Sequence, residues 1–247
     1  MVIKETTGAV DGTAAGTAAG VRYVALPPAH GPTDRLVLLW HLVGQPGTPE
    51  DMATALPLHD VPAWRVYPAL PATTPPDTAG ANPITDWYAP LVESSVAAVP
   101  ALLDHLRDRL GTTPAPVDLV GGSAGGHIAL LTAARRLTPV RRIAVVNPAV
   151  TAEAVVDAST AHHGLHHDWT PAARDAARDL DVLAHTPHWP APLLVVRGDQ
   201  EYPEFRPVQD ALHAAVPGSR LVQIPGLAHP LVSHTDLIDA EVTAWLA

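Results

Sequence analysis

The sequence predicts an α/β domain: a mostly parallel central sheet flanked by helices, with a small helical insertion. Three observations carry this. Short apolar runs alternate with helix-period segments along most of the chain, the pattern of parallel strands joined by crossover helices. One run, Val117–Val120, stops at Gly121-Gly122 and leads at once into a helical pattern over Ala124–Leu137. The 247 residues, 47% of them hydrophobic, suit one sizeable core.

Taken in order, Thr6–Gly20 is rich in Gly, Ala and Thr, with Gly8, Gly12, Gly16 and Gly20 four residues apart. It reads as a flexible terminal segment, residues 1–20, ahead of a domain over 21–247. Val21–Leu26 reads as a strand stopped by Pro27-Pro28, and Arg35–Trp40 as a central strand. Thr48 is a helix N-cap for Pro49–Leu56, and Ala63–Tyr67 is a further strand. Pro68–Pro90 is a long Pro-rich connection. Leu91–Leu110 reads as a helix ended by Gly111, with Pro100 expected to kink or break it. Arg142–Val146 is a strand closed by Asn147-Pro148, and residues 149–190 read as a helical lid insertion. Leu193–Val196 and Arg220–Ile224 are the last strands, with helices over Pro207–Val216 and Pro230–Leu246.

Composition narrows the function. Fifteen basic against 25 acidic residues give a net charge of −10, which argues against nucleic acid or an anionic membrane as partner. Cysteine is absent, so disulfides and thiolate metal sites are excluded. No apolar run approaches the roughly 18 residues of a membrane span, and Met1–Glu5 lacks a signal-peptide pattern, so a cytoplasmic location is the expectation. No cofactor or metal is called for. The tract His162-His163-Gly164-Leu165-His166-His167 would give i,i+4 histidine pairs if helical, but it lacks the intervening Glu of a zinc helix. Lid histidines that are solvated or line the mouth are the simpler reading.

The chemistry lies in Gly121-Gly122-Ser123-Ala124-Gly125, which fits the G-x-S-x-G nucleophile elbow. Its serine must project from a sharp strand-to-helix turn, so its neighbours must lack bulk. The G-x-G-x-x-G and Gly-Lys-Ser/Thr phosphate fingerprints both fail here. Strand ends in an open parallel sheet gather active residues, and Ser123, Asp199, Glu201 and His229 each lie just beyond a predicted strand.

The order Ser123, then Asp199 or Glu201, then His229 resembles the α/β-hydrolase superfamily, over nearly the whole chain from about Val21. Gly121–Gly126 is similar to the elbow of carboxylesterases and thioesterases. The resemblance implies Ser123 as nucleophile and His229 as base. Glu201 is preferred as the acid, with Asp199 as the alternative. It implies an oxyanion hole from the Ala124 N–H and, after the Leu36–Trp40 strand, the Leu42 N–H. The His41-Leu42-Val43-Gly44 loop departs from the family's usual His-Gly there. His41, Trp87, Tyr88, His127 and Trp169 are candidate substrate contacts. The expected activity is hydrolysis of a small ester or thioester through an acyl-enzyme. The alternative is the same fold in a non-hydrolytic role: acyltransferase, lyase, cyclase, isomerase or binding module.

Overall fold

The structure, a computed structural model, describes residues 13–71, 81–165 and 167–247. Its sheet has eight strands: β1 (Ala14–Ala18), β2 (Val21–Leu26), β3 (Leu36–Trp40), β4 (Trp64–Pro68), β5 (Val117–Gly122), β6 (Val140–Val146), β7 (Leu193–Gln200) and β8 (Arg220–Ala228). They lie in the order β1-β2-β4-β3-β5-β6-β7-β8. The β1–β2 and β2–β4 pairs are antiparallel and every pair from β4–β3 to β7–β8 is parallel. The chain moves one way from β3 to β4, then returns to place β5 on the other side of β3. The loops after β3 and β5 therefore part from each other at a switch point, where such sheets open a crevice.

Alternation along the strands explains the layers. Leu36, Leu38 and Trp40 of β3 face one core, whereas Val37 and Leu39 face the other. In β7, Leu193 and Val195 divide from Leu194 and Val196 in the same way. A strand buried on both faces needs helices on both sides. Helices α2 (Ala89–Leu110) and α3 (Ser123–Ala134) cover the first face; α1 (Pro49–Ala55) and α7 (Thr235–Leu246) cover the second. The 149–190 insertion contains α4 (Ala152–His163), α5 (Pro171–Asp179) and a 3₁₀ segment, Val182–His188, and α6 (Phe205–Ala215) follows β7. Thr48, Thr151 and Thr170 each cap a helix by accepting a backbone N–H three residues on. No helix among the described residues is long and apolar enough to cross a membrane.

Several boundaries differ from the sequence reading. The sheet begins at Ala14, not Val21: Ala14–Ala18 pairs with Val21–Ala25 through the Ala19-Gly20 turn. Gly16 is needed there because a Cβ would meet the Tyr23 ring at about 3 Å. Residues 1–12, the first part of the expected flexible segment 1–20, and 72–80, the middle of the Pro-rich connection, lie outside the described residues, whereas 13–20 carry β1 and its turn. α2 runs through Pro100 as one helix, with Pro100 on the solvent side and Val96, Val99, Leu102, Leu103 and Leu106 anchoring the buried side. β8 extends to Ala228, so α7 starts at Thr235 rather than Pro230. The histidine tract is not one helix: α4 stops at His163, where Gly164 turns left-handed at φ 67°, and His166 is outside the described residues.

The sheet end remote from Ser123 is fastened by charge. Asp118, 1% exposed in β5, accepts from Arg141 Nε at 2.9 Å and Arg35 Nη2 at 3.1 Å. Both guanidiniums also donate to the carbonyl of Leu246, and Arg142 donates to that of Trp245, so the last turn of α7 is tied to the strands. Asp118→Ala removes charge-assisted bonds worth about 2 kcal/mol in sum after the half-exposed arginines rehydrate. Urea unfolding is expected to show that loss, with turnover per native molecule unchanged.

Candidate active site

β5 runs into α3 with no loop between them: Gly122 is the last strand residue and Ser123 the first of the helix. Ser123 consequently sits at φ 48°, a left-handed conformation that few residues with a side chain adopt. Close packing holds it there. A Cβ on Gly121 would lie 2.2 Å from the Gly125 carbonyl oxygen, and one on Gly125 would lie 2.4 Å from that of His41. Only glycine at both positions lets strand, helix and the end of β3 come together. The first amides of α3, Ala124 among them, lack intrahelical acceptors and carry the positive end of the helix dipole.

His229 follows β8 directly and joins two residues far away in sequence. Its Nε2 is 2.9 Å from Ser123 Oγ, and its Nδ1 is 2.8 Å from Glu201 Oε1. With the proton on Nδ1 donated to the carboxylate, Nε2 is free to accept from the serine hydroxyl. The Glu201 side chain is fully buried, and it also accepts from the Tyr202 N–H at 2.6 Å and from Gln209 Nε2 at 3.4 Å. Asp199 lies elsewhere: it accepts from the Gly226 N–H at 2.7 Å and fixes the β8 turn. The register of β7 against β8 slips between Gly198 and Gln200, and a Cβ on Gly198 would strike the Leu227 carbonyl at 1.9 Å. That bulge and close approach bring Glu201 up to His229.

The loop after β3 departs from expectation. The Leu42 N–H, expected to face an oxyanion, donates to the Pro46 carbonyl at 3.1 Å and is engaged within its own turn. His41 is 5% exposed; Nδ1 donates to the Leu42 carbonyl at 2.7 Å and Nε2 accepts from the Leu70 N–H at 3.0 Å. It staples the loop to the chain after β4 and does not line the cavity over Ser123. That cavity, about 190 Å³, is bounded by the Leu42–Gln45 loop, Trp87, Tyr88, Val155, Ala158, Ser159, His163, Tyr202, Phe205 and the Ser123–His229 pair. Of the candidate substrate contacts, Trp87 and Tyr88 border this cavity. They sit on a π-helical turn, Ile84–Tyr88, whose start is capped by Asn82 Oδ1 accepting from the Ile84 and Thr85 amides. A larger hollow, about 700 Å³, lies on the other side of the same loop and reaches neither Ser123 nor His229.

His127 and Trp169 do not line the cavity. His127 is fully buried, with Nε2 donating to the Leu180 carbonyl at 2.7 Å and Nδ1 accepting from Tyr88 Oη at 2.8 Å. It joins α3, α2's leading turn and the end of α5. Trp169 packs on the first core and meets the His167 ring edge-on at 4.6 Å. No group of three or more His, Asp or Glu able to hold a metal occurs among the described residues.

The same architecture recurs in solved structures. A hyperthermophilic esterase from the archaeon Pyrobaculum calidifontis superposes with a TM-score of 0.70 at 16% identity, over 97% of this chain and 84% of that one. Est1E from Butyrivibrio proteoclasticus gives 0.69 at 16% identity, over 96% and 98%. A predicted CIB-like hydrolase from Thermoplasma acidophilum gives 0.59 at 16%, over 95% and 99%. The chain has the α/β-hydrolase fold. No family model matches the sequence, and no curated protein matches it.

Within this hydrolase fold, sequence reasoning missed four residues that shape the site. Tyr202 and Phe205 lay their rings against His229, both with centroids at 4.9 Å and planes within 18° and 11°. Gln209 and Asn147 are buried amides whose bonds lead back to Glu201 and His229. Their only sequence signal was place: each lies just beyond a predicted strand or on the helix after one.

Burial sets a pH window for stability. It pushes His127 down to about 4 and also lowers His41. Unfolded, each takes a proton near pH 6.5, whereas folded each resists it. The stability of the neutral rings is therefore complete above about pH 6.5 and drains as pH falls toward 4, by up to about 1.4 kcal/mol per unit for His127. Urea unfolding at pH 7 and pH 5 is expected to show a smaller difference in His127→Gln, by about 1–2 kcal/mol. An equal difference would exclude this origin.

Proposed function

We propose that the protein is a serine hydrolase that cleaves an ester or thioester of a small substrate through an acyl-enzyme on Ser123. One observation carries the reading: the His229 ring lies between Ser123 Oγ and a buried Glu201 carboxylate at hydrogen-bond distance on both sides. A serine hydroxyl needs such a base to become an effective nucleophile. The neutral ring accepts the proton as Oγ attacks the carbonyl carbon, and Glu201 stabilises the imidazolium. The C–O or C–S bond then breaks, the imidazolium protonates the leaving group, and water repeats the sequence on the acyl-enzyme.

The tetrahedral oxygen requires two donors. The Ala124 N–H supplies one from the head of α3. The Val43 N–H is assigned as the second, because the Leu42 amide is already bonded and Val43 is the next residue along the cavity wall. The cavity favours a short, uncharged acyl group: it is small, bounded by Trp87, Tyr88, Val155 and Phe205, and has no Lys, Arg, Asp or Glu among its described lining residues.

A fluorophosphonate is expected to label Ser123 in the unaltered protein and not in Ser123→Ala. Hydrolysis of p-nitrophenyl acetate should fall by about 10³-fold or more in Ser123→Ala and by up to about 10⁴-fold in Glu201→Gln, with Asp199→Asn far less affected. Activity should decline from acetate and butyrate toward decanoate. A Ser123→Ala protein with undiminished turnover rejects the assignment.

A further inference from the structure

The turn that closes β6 touches the machinery at three places. Asn147 is fully buried at φ 44°, and its own N–H donates to the Val196 carbonyl at 2.8 Å. Its Oδ1 accepts from the Gly198 N–H at 2.9 Å, one rung beyond the last β6–β7 pair, Val146–Val196. Its Nδ2 donates to the Ala228 carbonyl at 2.8 Å and to the His229 carbonyl at 3.3 Å. The Pro148 carbonyl then accepts from Gln209 Nε2 at 3.0 Å, the nitrogen that also reaches Glu201. The Ala149 N–H donates to the carbonyl of Ser123 at 3.1 Å.

No other side chain meets these demands. The site offers one amide N–H to accept from and two carbonyls to donate to, in a left-handed backbone conformation that Asn tolerates. Aspartate would turn a carboxylate toward two carbonyl oxygens. Leucine would leave all three backbone groups unpaired in the interior.

We propose that Asn147 is a positioning residue that fixes the His229 backbone against the strand bearing Glu201, and so sets the gap from His229 Nε2 to Ser123 Oγ. Among the described residues, the Asn147 amide ties the backbone that carries the His229 ring to the turn after β6. The ring's position is otherwise set by Glu201 at one nitrogen and by ring contacts with Tyr202 and Phe205. A buried amide that merely satisfied backbone groups would govern stability; one that sets a reacting distance also governs the chemical step.

This inference rests on the serine-hydrolase reading, and the experiment separates the two. Asn147→Gly keeps the left-handed backbone and removes the amide; Asn147→Asp keeps the shape and removes the donors. Each is assayed with p-nitrophenyl acetate, normalised to the native fraction by circular dichroism, beside fluorophosphonate labelling of the unaltered protein and Ser123→Ala. Misplacement of a reacting group by about 1 Å costs on the order of 10²-fold, so kcat is expected to fall by about that factor with KM within about threefold. Labelling of Ser123 should slow by a similar factor. Should either variant keep kcat within threefold of the unaltered protein, or lose activity through KM alone, the positioning role is overturned while the hydrolase reading stands. Failure of the unaltered protein to label at Ser123 overturns both.

Discussion

The strained backbone of Ser123 is the constraint to which the rest of the molecule answers. A left-handed residue with a side chain costs on the order of 1–3 kcal/mol and persists only where its surroundings leave no alternative. Here β5 and α3 meet without a linker, and the carbonyls of Gly125, His41 and Trp40 occupy the space that side chains at positions 121 and 125 would need. The same contact brings the loop after β3 beside the first turn of α3. Ser123, the helix amides and the Leu42–Gln45 loop thus share one wall of the cavity because two glycines allow three backbones to touch.

The other half of the site depends on how β7 and β8 end. Glu201 and Asp199 are two residues apart and chemically alike, yet only one reaches the imidazole. The slip in register after Gly198 decides between them: Asp199 is turned to the Gly226 N–H, and Glu201 is carried inward to His229. Each carboxylate then ties the end of β7 to a different part of the chain at the end of the parallel strand β8. Asp199 holds the turn within β8 that precedes His229, so its contribution to the site is indirect and its loss is felt through the backbone.

Much of this was legible in the residues. The strand–glycine–helix signal at Val117–Gly125, the alternation of elements, and the order Ser123, then Asp199 or Glu201, then His229 lie in patterns that single-sequence reasoning reads well. Features set by tertiary contact were not legible. The Leu42 amide looked available because nothing in the sequence shows that the chain folds back to place the Pro46 carbonyl on it. His41, His127 and Trp169 looked like wall residues because polar aromatic side chains near a motif favour that reading, but burial and paired backbone groups make the two histidines structural. Ala14–Ala18 looked featureless because small residues carry little strand propensity; pairing with β2 supplies what the side chains do not.

The histidines show why composition alone misleads. Fourteen occur in the chain, and the described ones fall into distinct physical classes. His41 and His127 are sealed among backbone acceptors and donors and held neutral by burial. His162 lies on the rim, pairing with Glu204 at 3.0 Å and stacking on the outer face of Tyr202 at 4.1 Å, while Tyr202 stacks in turn on His229. His229 alone combines a buried carboxylate on one nitrogen with a hydroxyl on the other. What separates His229 from the two buried imidazoles is therefore not exposure. It is whether the second nitrogen faces a group that the fold has already satisfied or one, the Ser123 hydroxyl, whose proton has somewhere to go.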